Sequence, residues 1–329
     1  MVVDVVDGSM IRQTRIIRNQ LNAVPLGGQF GKAYWFGMML VIALLAGCAG
    51  SAPFLTVEPP PGTPAPVMKP APRIGLALGG GAARGFAHVG VIQVLEEAGI
   101  RPALVVGTSA GSVVAAIYAS GRSGAQLQQI AESMEEASLT DWTLPLFGRG
   151  LLRGDAMARY INAQVGGLPI EAMAIPLGIV ATDLHTGDGI LFQRGDTGTA
   201  VRASSAVPSV FQPVVIAGRQ YVDGGLVAPV PVRYARQMGA ELVIAVDISN
   251  APQNNAAQGM LQVMLQSFAI MGRSINALEL RHADVVVQPW LPDVGSADFS
   301  ARKRSIEAGR AAMLAALPAY KAKLTSMMQ

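Results

Sequence analysis

One cysteine, three histidines and a charged fraction of 14% are the scarce features of this 329-residue chain. A lone cysteine cannot close an intrachain disulfide, so the fold is not a cross-linked mini-protein. With 51% hydrophobic residues and so few charges, the chain is not disordered either. A membrane-spanning helix needs about 20 consecutive apolar residues, and the apolar run Tyr34–Gly47 stops short of that. Cysteine and histidine are too few, and too scattered among the carboxylates, to form a cluster with metal-ligand spacing, so neither a metal nor a cofactor is expected. The formal net charge of +3 is concentrated at one end. Arg12, Arg15, Arg18 and Lys32 stand against only Asp4 and Asp7 before residue 48, and the remainder is close to neutral. A nucleic-acid partner therefore has no basic surface to recommend it.

The leader reads as an export signal. A basic stretch, a short apolar run and small residues follow one another up to Leu45-Ala46-Gly47-Cys48. This end resembles the lipobox of bacterial lipoproteins, in which the cysteine is lipidated and becomes the first residue of the mature chain. The basic stretch is long for such a signal, and Met10 offers a second start. Residues 1–47 are thus expected to be a signal peptide, with Cys48 as the lipidation site. Residues 48–72, rich in proline from Pro53 to Pro72, then form an extended tether. Ala49 and Gly50 lack the aspartate that resembles an inner-membrane retention signal, so the expected location is the bacterial cell envelope, at the outer membrane.

The folded domain is expected over residues 73–329. Apolar runs at 73–78, 104–106, 175–182, 190–192, 242–247 and 284–288 read as strands. Helical spacing covers 86–98, 110–119, 125–137, 197–204, 232–238, 256–281 and 302–317. Continuous apolar strands separated by helices imply a largely parallel sheet covered on both faces, a three-layer α/β/α sandwich. Met260, Met264 and Met271 share one helix face and are read as core. Trp142, Leu144, Leu146, Phe147, Leu151 and Leu152 form an apolar cluster read as loop packing.

Three glycine-bearing turns carry the chemistry. Gly107-Thr108-Ser109-Ala110-Gly111 lies between a strand and a helix, the setting of a nucleophile elbow in which a sharp turn exposes a serine hydroxyl. Gly79-Gly80-Gly81-Ala82-Ala83-Arg84-Gly85 also joins a strand to a helix. Its consecutive glycines can turn backbone N–H groups into one concavity that suits an oxyanion. A dinucleotide fingerprint would need glycine where Arg84 stands and an acidic residue at the end of the next strand, and there is none over 99–107. A P-loop would need Gly-Lys-Ser/Thr, which is also absent from this turn. Arg84 either holds the loop, adds positive potential or is a surface charge. The third turn, Asp223-Gly224-Gly225, ends a strand and leaves a carboxylate unobstructed. A serine nucleophile needs a base. The chain order Ser109, Asp247, His282 suits a Ser–His–Asp triad, although neither His88, His185 nor His282 has a distinctive motif around it.

Together and in this order, Gly79–Arg84, Gly107–Gly111 and Asp223–Gly225 resemble the patatin-like phospholipase family over about residues 74–290. Ala181-Thr182-Asp183-Leu184 with Thr186-Gly187, and Ser205-Ala206-Val207-Pro208 with Phe211 and Pro213, are similar to its bacterial members. The resemblance implies a serine acyl hydrolase without a catalytic histidine. Ser109 is then the nucleophile, Asp223 the base, and Gly79, Gly80 and Gly81 the oxyanion hole, with Arg84, Gly107, Gly111, Gly224 and Gly225 in support. It also implies an acyl-lipid or ester substrate and no cofactor. Two rivals remain beside it: the His282 triad, and a catalytically silent envelope lipoprotein that binds a partner.

Overall fold

The computed structural model describes residues 70–134, 141, 150–249, 259–292, 294–295 and 297–329, all within one unit, Ala65–Gln329. The leader, Cys48 and nearly all of the Pro-rich tether lie outside the described residues, as do Trp142, Leu144, Leu146 and Phe147 of the apolar cluster.

The chain alternates β1 (Ile74–Leu78), a 3-10 turn (Ala82–Phe86), α1 (Ala87–Glu97), β2 (Leu104–Thr108), α2 (Ala110–Ala119) and α3 (Gly124–Ser133). It continues with β3 (Gly150–Leu152), α4 (Asp155–Gln164), β4 (Leu177–Asp183), β5 (Gly189–Phe192), α5 (Thr197–Ser204), β6 (Ser209–Phe211), β7 (Val214–Ile216) and β8 (Arg219–Asp223). Last come α6 (Val232–Gln237), β9 (Leu242–Val246), α7 (Met260–Glu279), β10 (Val285–Val287) and α8 (Arg302–Met328). The main sheet runs β10-β9-β1-β2-β4-β8-β7, with β5 also paired to β4. β10, β9, β1, β2 and β4 are mutually parallel, whereas β5, β8 and β7 are antiparallel to their neighbours. The fold is an α/β sandwich with a mostly parallel central sheet.

Both faces of this sheet are buried, which is why its strands read as continuous apolar runs. Leu76, Leu78, Val105, Leu242, Ile244 and Val246 point into one core, shared with α1, α2, α3 and α8. Their neighbours Ala77, Leu104, Val106, Val243 and Ala245 point to the other face, under α6 and the segment Ala228–Val232. The period of two along each strand thus fills two layers at once.

Three differences from the sequence reading have physical causes. The strands β3, β6 and β7 are three residues each, too short to show a period. Helix α8 continues through Pro318 instead of stopping before it. Tyr320, Leu324 and Met327 beyond the proline pack on the core, and that burial outweighs the hydrogen bond and steric strain a helical proline costs. The methionine face of α7 is not core: Met260 is 84% exposed and Met271 49%.

Candidate active site

β4 assembles the site. On one edge it pairs with β5, through Val180↔Leu191 and Ala181↔Ile190. Its other edge is therefore shared end to end by two strands. β2 runs parallel up to Thr108↔Val180, and β8 comes back antiparallel to Asp223↔Ala181. Ser109, the residue after β2, and Asp223, the last residue of β8, thus arrive from opposite directions at adjacent positions of a single edge. Their side chains meet: Ser109 Oγ donates to Asp223 Oδ2 at 2.7 Å.

Ser109 adopts φ 53° and ψ −124° between β2 and α2. A non-glycine residue held at positive φ stores strain of order 1–3 kcal/mol and needs its surroundings to hold it there. Here the amide of Ser109 donates to Ser204 Oγ at 2.9 Å, and Ser204 Oγ donates in turn to Val180 O at 2.6 Å. Ser112 Oγ closes on Ser109 O at 2.6 Å. The flanking glycines permit the close approach this turn requires. A Cβ on Gly107 would stand 2.5 Å from Ser112 Cα, and one on Gly111 would run into the carbonyl of Leu78. The N-terminus of α2 lies directly behind Ser109, where its dipole favours negative charge.

Asp223 is buried and held on every side. Its Oδ1 accepts from the Gly225 amide at 2.6 Å, its amide donates to Ala206 O at 3.0 Å, and Thr182 Oγ1 donates to its carbonyl at 2.8 Å. Gly224 is tight for the same reason, since a Cβ there would strike Val180 O. Burial raises the Asp223 carboxyl from 3.8 to about 6, against the smaller lowering effects of the Ser109 and Gly225 hydrogen bonds. The carboxylate is therefore ionised above pH 6 while remaining a stronger base than an exposed one. Thr182 and Ala206 belong to the two stretches that carried the bacterial resemblance, and their part is to fix the carboxylate.

The glycine loop lies against Ser109: a Cβ on Gly80 would be 3.1 Å from Ser109 Cβ. The N–H groups of Gly79 and Gly80 are not free, because they donate to Val246 O at 3.0 Å and Pro229 O at 2.9 Å. This corrects the expectation that all three glycines offer amides to an oxyanion. Among the described residues the amides of Gly81 and Ala82 have no acceptor. Ala82 sits at φ 51°, a second strained non-glycine position in the site. Arg84 holds the loop: its Nε donates to Ile248 O at 2.9 Å and its Nη1 reaches Val294 O at 3.4 Å. Burial lowers its pKa, and Asp247 opposes that shift. His88, which had no sequence signal, is fully buried with Nε2 2.8 Å from Gly79 O. Burial drives its pKa down to about 4, so the ring is neutral near pH 7 and Nε2–H is the donor that ties the loop to α1.

The Ser109–Asp247–His282 triad does not form. Asp247 Oδ1 accepts from Ser249 N and Asn276 Nδ2, and its Oδ2 accepts from Gln288 Nε2, with no histidine involved. His282 precedes β10, whereas Ser109 follows β2, and these strands lie in one parallel array. The two residues therefore leave opposite edges of the sheet, about 17 Å apart for a five-residue strand. No group of three or more His, Cys, Asp or Glu among the described residues has metal-binding geometry.

Residues 76–236 match the family model described as patatin-like phospholipase. The chain is 36% identical over 208 residues to an NTE family protein of Mycobacterium tuberculosis, covering 63% of this chain and 58% of that protein. A second NTE family protein of that species is 30% identical over 276 residues, covering 75% and 46%. Patatin-like phospholipase domain-containing protein 6 of Mus musculus is 34% identical over 190 residues, 55% of this chain and 14% of that one. The chain thus spans less than two thirds of each of these relatives. Among solved structures, VipD from Legionella pneumophila superposes with a TM-score of 0.52 at 16% identity, over 76% of this chain and 67% of that one, and shares the fold.

Proposed function

The chain belongs to the patatin-like phospholipase family, and on that premise we propose that it is a serine acyl hydrolase that cleaves acyl esters of lipids through Ser109 and Asp223. The observation that carries this reading is the 2.7 Å hydrogen bond from Ser109 Oγ to a buried carboxylate at a strained strand-to-helix turn.

In the proposed reaction Asp223 takes the hydroxyl proton as Ser109 Oγ attacks the ester carbonyl carbon. The carbonyl oxygen becomes an oxyanion between the glycine loop and the N-terminus of α2, where the amides of Gly81 and Ala82 are its donors. The intermediate collapses to an acyl-serine, and Asp223 returns the proton to the departing alkoxide. Water, deprotonated by the same carboxylate, then releases the fatty acid and regenerates the serine hydroxyl. One carboxylate serves both half-reactions, so no histidine is needed, and the raised basicity of Asp223 compensates for its use in place of an imidazole.

Ser109→Ala and a fluorophosphonate probe test the assignment. Wild-type protein is expected to be labelled covalently at Ser109 and to hydrolyse a short-chain ester, and the variant to do neither. A folded wild-type protein that resists the probe and cleaves no ester would return the chain to the silent-lipoprotein reading. Lipid anchoring is a further part of this proposal and rests on the leader sequence alone. Incorporation of a fatty-acid label that Cys48→Ser abolishes is its test.

A further inference from the structure

Among the described residues, helix α7 is the one long element that no core accounts for. From Met260 to Gly272 it carries no charged residue, and Met260–Leu278 contains no Asp or Glu. Met264, Phe268 and Ile275 are half-buried, but many of its large side chains are on the outside: Val263 is 51% exposed, Ile270 52% and Met271 49%. An exposed apolar helix face of this extent belongs against an apolar medium, yet no apolar side chain of Met260–Glu279 enters a core cluster. Nor is it a membrane span, since no described helix is long and apolar enough to cross a bilayer.

Its position follows from two buried anchors, Asn276 and Glu279, the latter paired through Oε1 with Arg233 Nε at 3.3 Å and accepting from the Arg233 amide at 3.3 Å on Oε2. Asn276 donates from Nδ2 to Asp247 Oδ1 at 3.2 Å and accepts from Val230 N at 3.0 Å, while Asp247 directly follows β9. Asn276 is therefore level with the carboxyl-terminal edge of the parallel strands, the edge from which Ser109 emerges. Everything in α7 before Asn276, roughly 24 Å of helix at about 1.5 Å per residue, continues past that edge. It passes alongside Gly224–Leu226, the turn that begins after Asp223, and reaches Ser209, whose Oγ is 3.8 Å from Met264 Sδ. Trp290, 82% exposed, leaves the same edge after β10.

We propose that α7 before Asn276 docks on a phospholipid surface, with Trp290 beside it, and so sets the Ser109 edge of the sheet against the aggregate that carries the substrate. The proposal deepens the lipid-ester reading and depends on it for the substrate. A lipid surface fits this helix better than a second protein for three reasons. Its methionines adapt to a fluid, irregular contact. Tryptophan favours the headgroup boundary. And the stretch before Asn276 offers an anionic headgroup layer Arg273 and no carboxylate to repel it. A helix that buries a face without spanning lies in the interface plane.

Because Cys48 is the only cysteine, the full chain carrying Cys48→Ser accepts a single environment-sensitive fluorophore at Ile270→Cys, with Leu314→Cys on α8 as the control. On adding vesicles of phosphatidylcholine and phosphatidylglycerol, the probe at 270 is expected to brighten several-fold and shift to the blue, and the probe at 314 to stay unchanged. The same response is expected in a Ser109→Ala background, so docking is judged even if the hydrolase reading fails. Ile270→Glu with Met271→Glu should lower turnover of vesicle lipid at least tenfold more than turnover of a monomeric short-chain ester. A 270 probe indifferent to vesicles overturns the proposal. So does one already in an apolar setting before vesicles are added, the result expected if the leader or a second copy covers the helix. Equal loss on both substrates overturns it as well.

Discussion

Replacing Asp223 with asparagine should stabilise the protein while abolishing its activity, and the gain should depend on pH. The folded carboxyl is raised from 3.8 to about 6. An acid whose folded pKa is raised is comfortable when protonated and costs stability once it ionises. The penalty is absent below pH 3.8, grows between pH 4 and 6, and is constant above. Two units at 1.36 kcal/mol each give about 3 kcal/mol at pH 7. His88 runs the other way, with its folded pKa lowered from 6.5 to about 4. It costs nothing at pH 7 and accumulates about 3 kcal/mol of destabilisation as pH falls from 6.5 to 4. In the wild type these two titrations nearly cancel between pH 7 and 4. In Asp223→Asn the His88 penalty is left alone. Urea unfolding of both proteins at several pH values is the assay, since groups common to both cancel in the difference. The variant should be more stable by about 3 kcal/mol at pH 7, or roughly 6–12 °C in Tm, and by less than about 1 kcal/mol at pH 4. A difference that does not vary with pH, or a variant less stable than wild type at pH 7, would refute the claim that burial sets the basicity of Asp223.

Other expectations follow from the same geometry. The kcat/KM for a soluble ester should rise with pH and level off above pH 6, as Asp223 ionises; a profile flat from pH 5 to 8 contradicts its role as base. Ser204→Ala removes the bridge between the Ser109 amide and Val180 O, and should cost about 1–3 kcal/mol of stability together with a lower kcat, read from denaturation and single-turnover kinetics. Gly80→Ala places a methyl 3.1 Å from Ser109 Cβ and should cut turnover about 10²-fold in a protein whose circular dichroism is unchanged. Ala82→Gly relieves φ 51° and should raise stability by about 1 kcal/mol, visible as a higher Tm.

The layered fold was legible because burial on both faces turns parallel strands into unbroken apolar runs, as in Leu242–Val246. The elbow was legible in part because Gly107 is demanded by a clash with Gly111 and Ser112, close in sequence, whereas Gly111 is demanded by the distant carbonyl of Leu78. What escaped the sequence is fixed by distant pairings. Gly79 and Gly80 spend their amides on Val246 and Pro229, acceptors that no local pattern announces. Ser204 gains its role from being the last residue of α5 beside β4, and serine at a helix end is otherwise ordinary. His88 lies within a plain helical run and matters only because Gly79 O is within reach. The methionines of α7 misled because helical spacing shows that residues share a face and is silent about what that face meets.

The joint occupancy of one β4 edge by β2 and β8 also bears on how activity arises during folding. Ser109 and Asp223 are separated by 114 residues, and neither holds the other until both pairings with β4 exist. Slipping β8 by one residue would turn the carboxylate to the opposite face of the sheet, so a chain with partly formed strands carries a serine without a base. On the proposed reaction, regain of esterase activity on refolding is expected to time completion of the longest-range antiparallel pairing among the described strands, the one between β4 and β8.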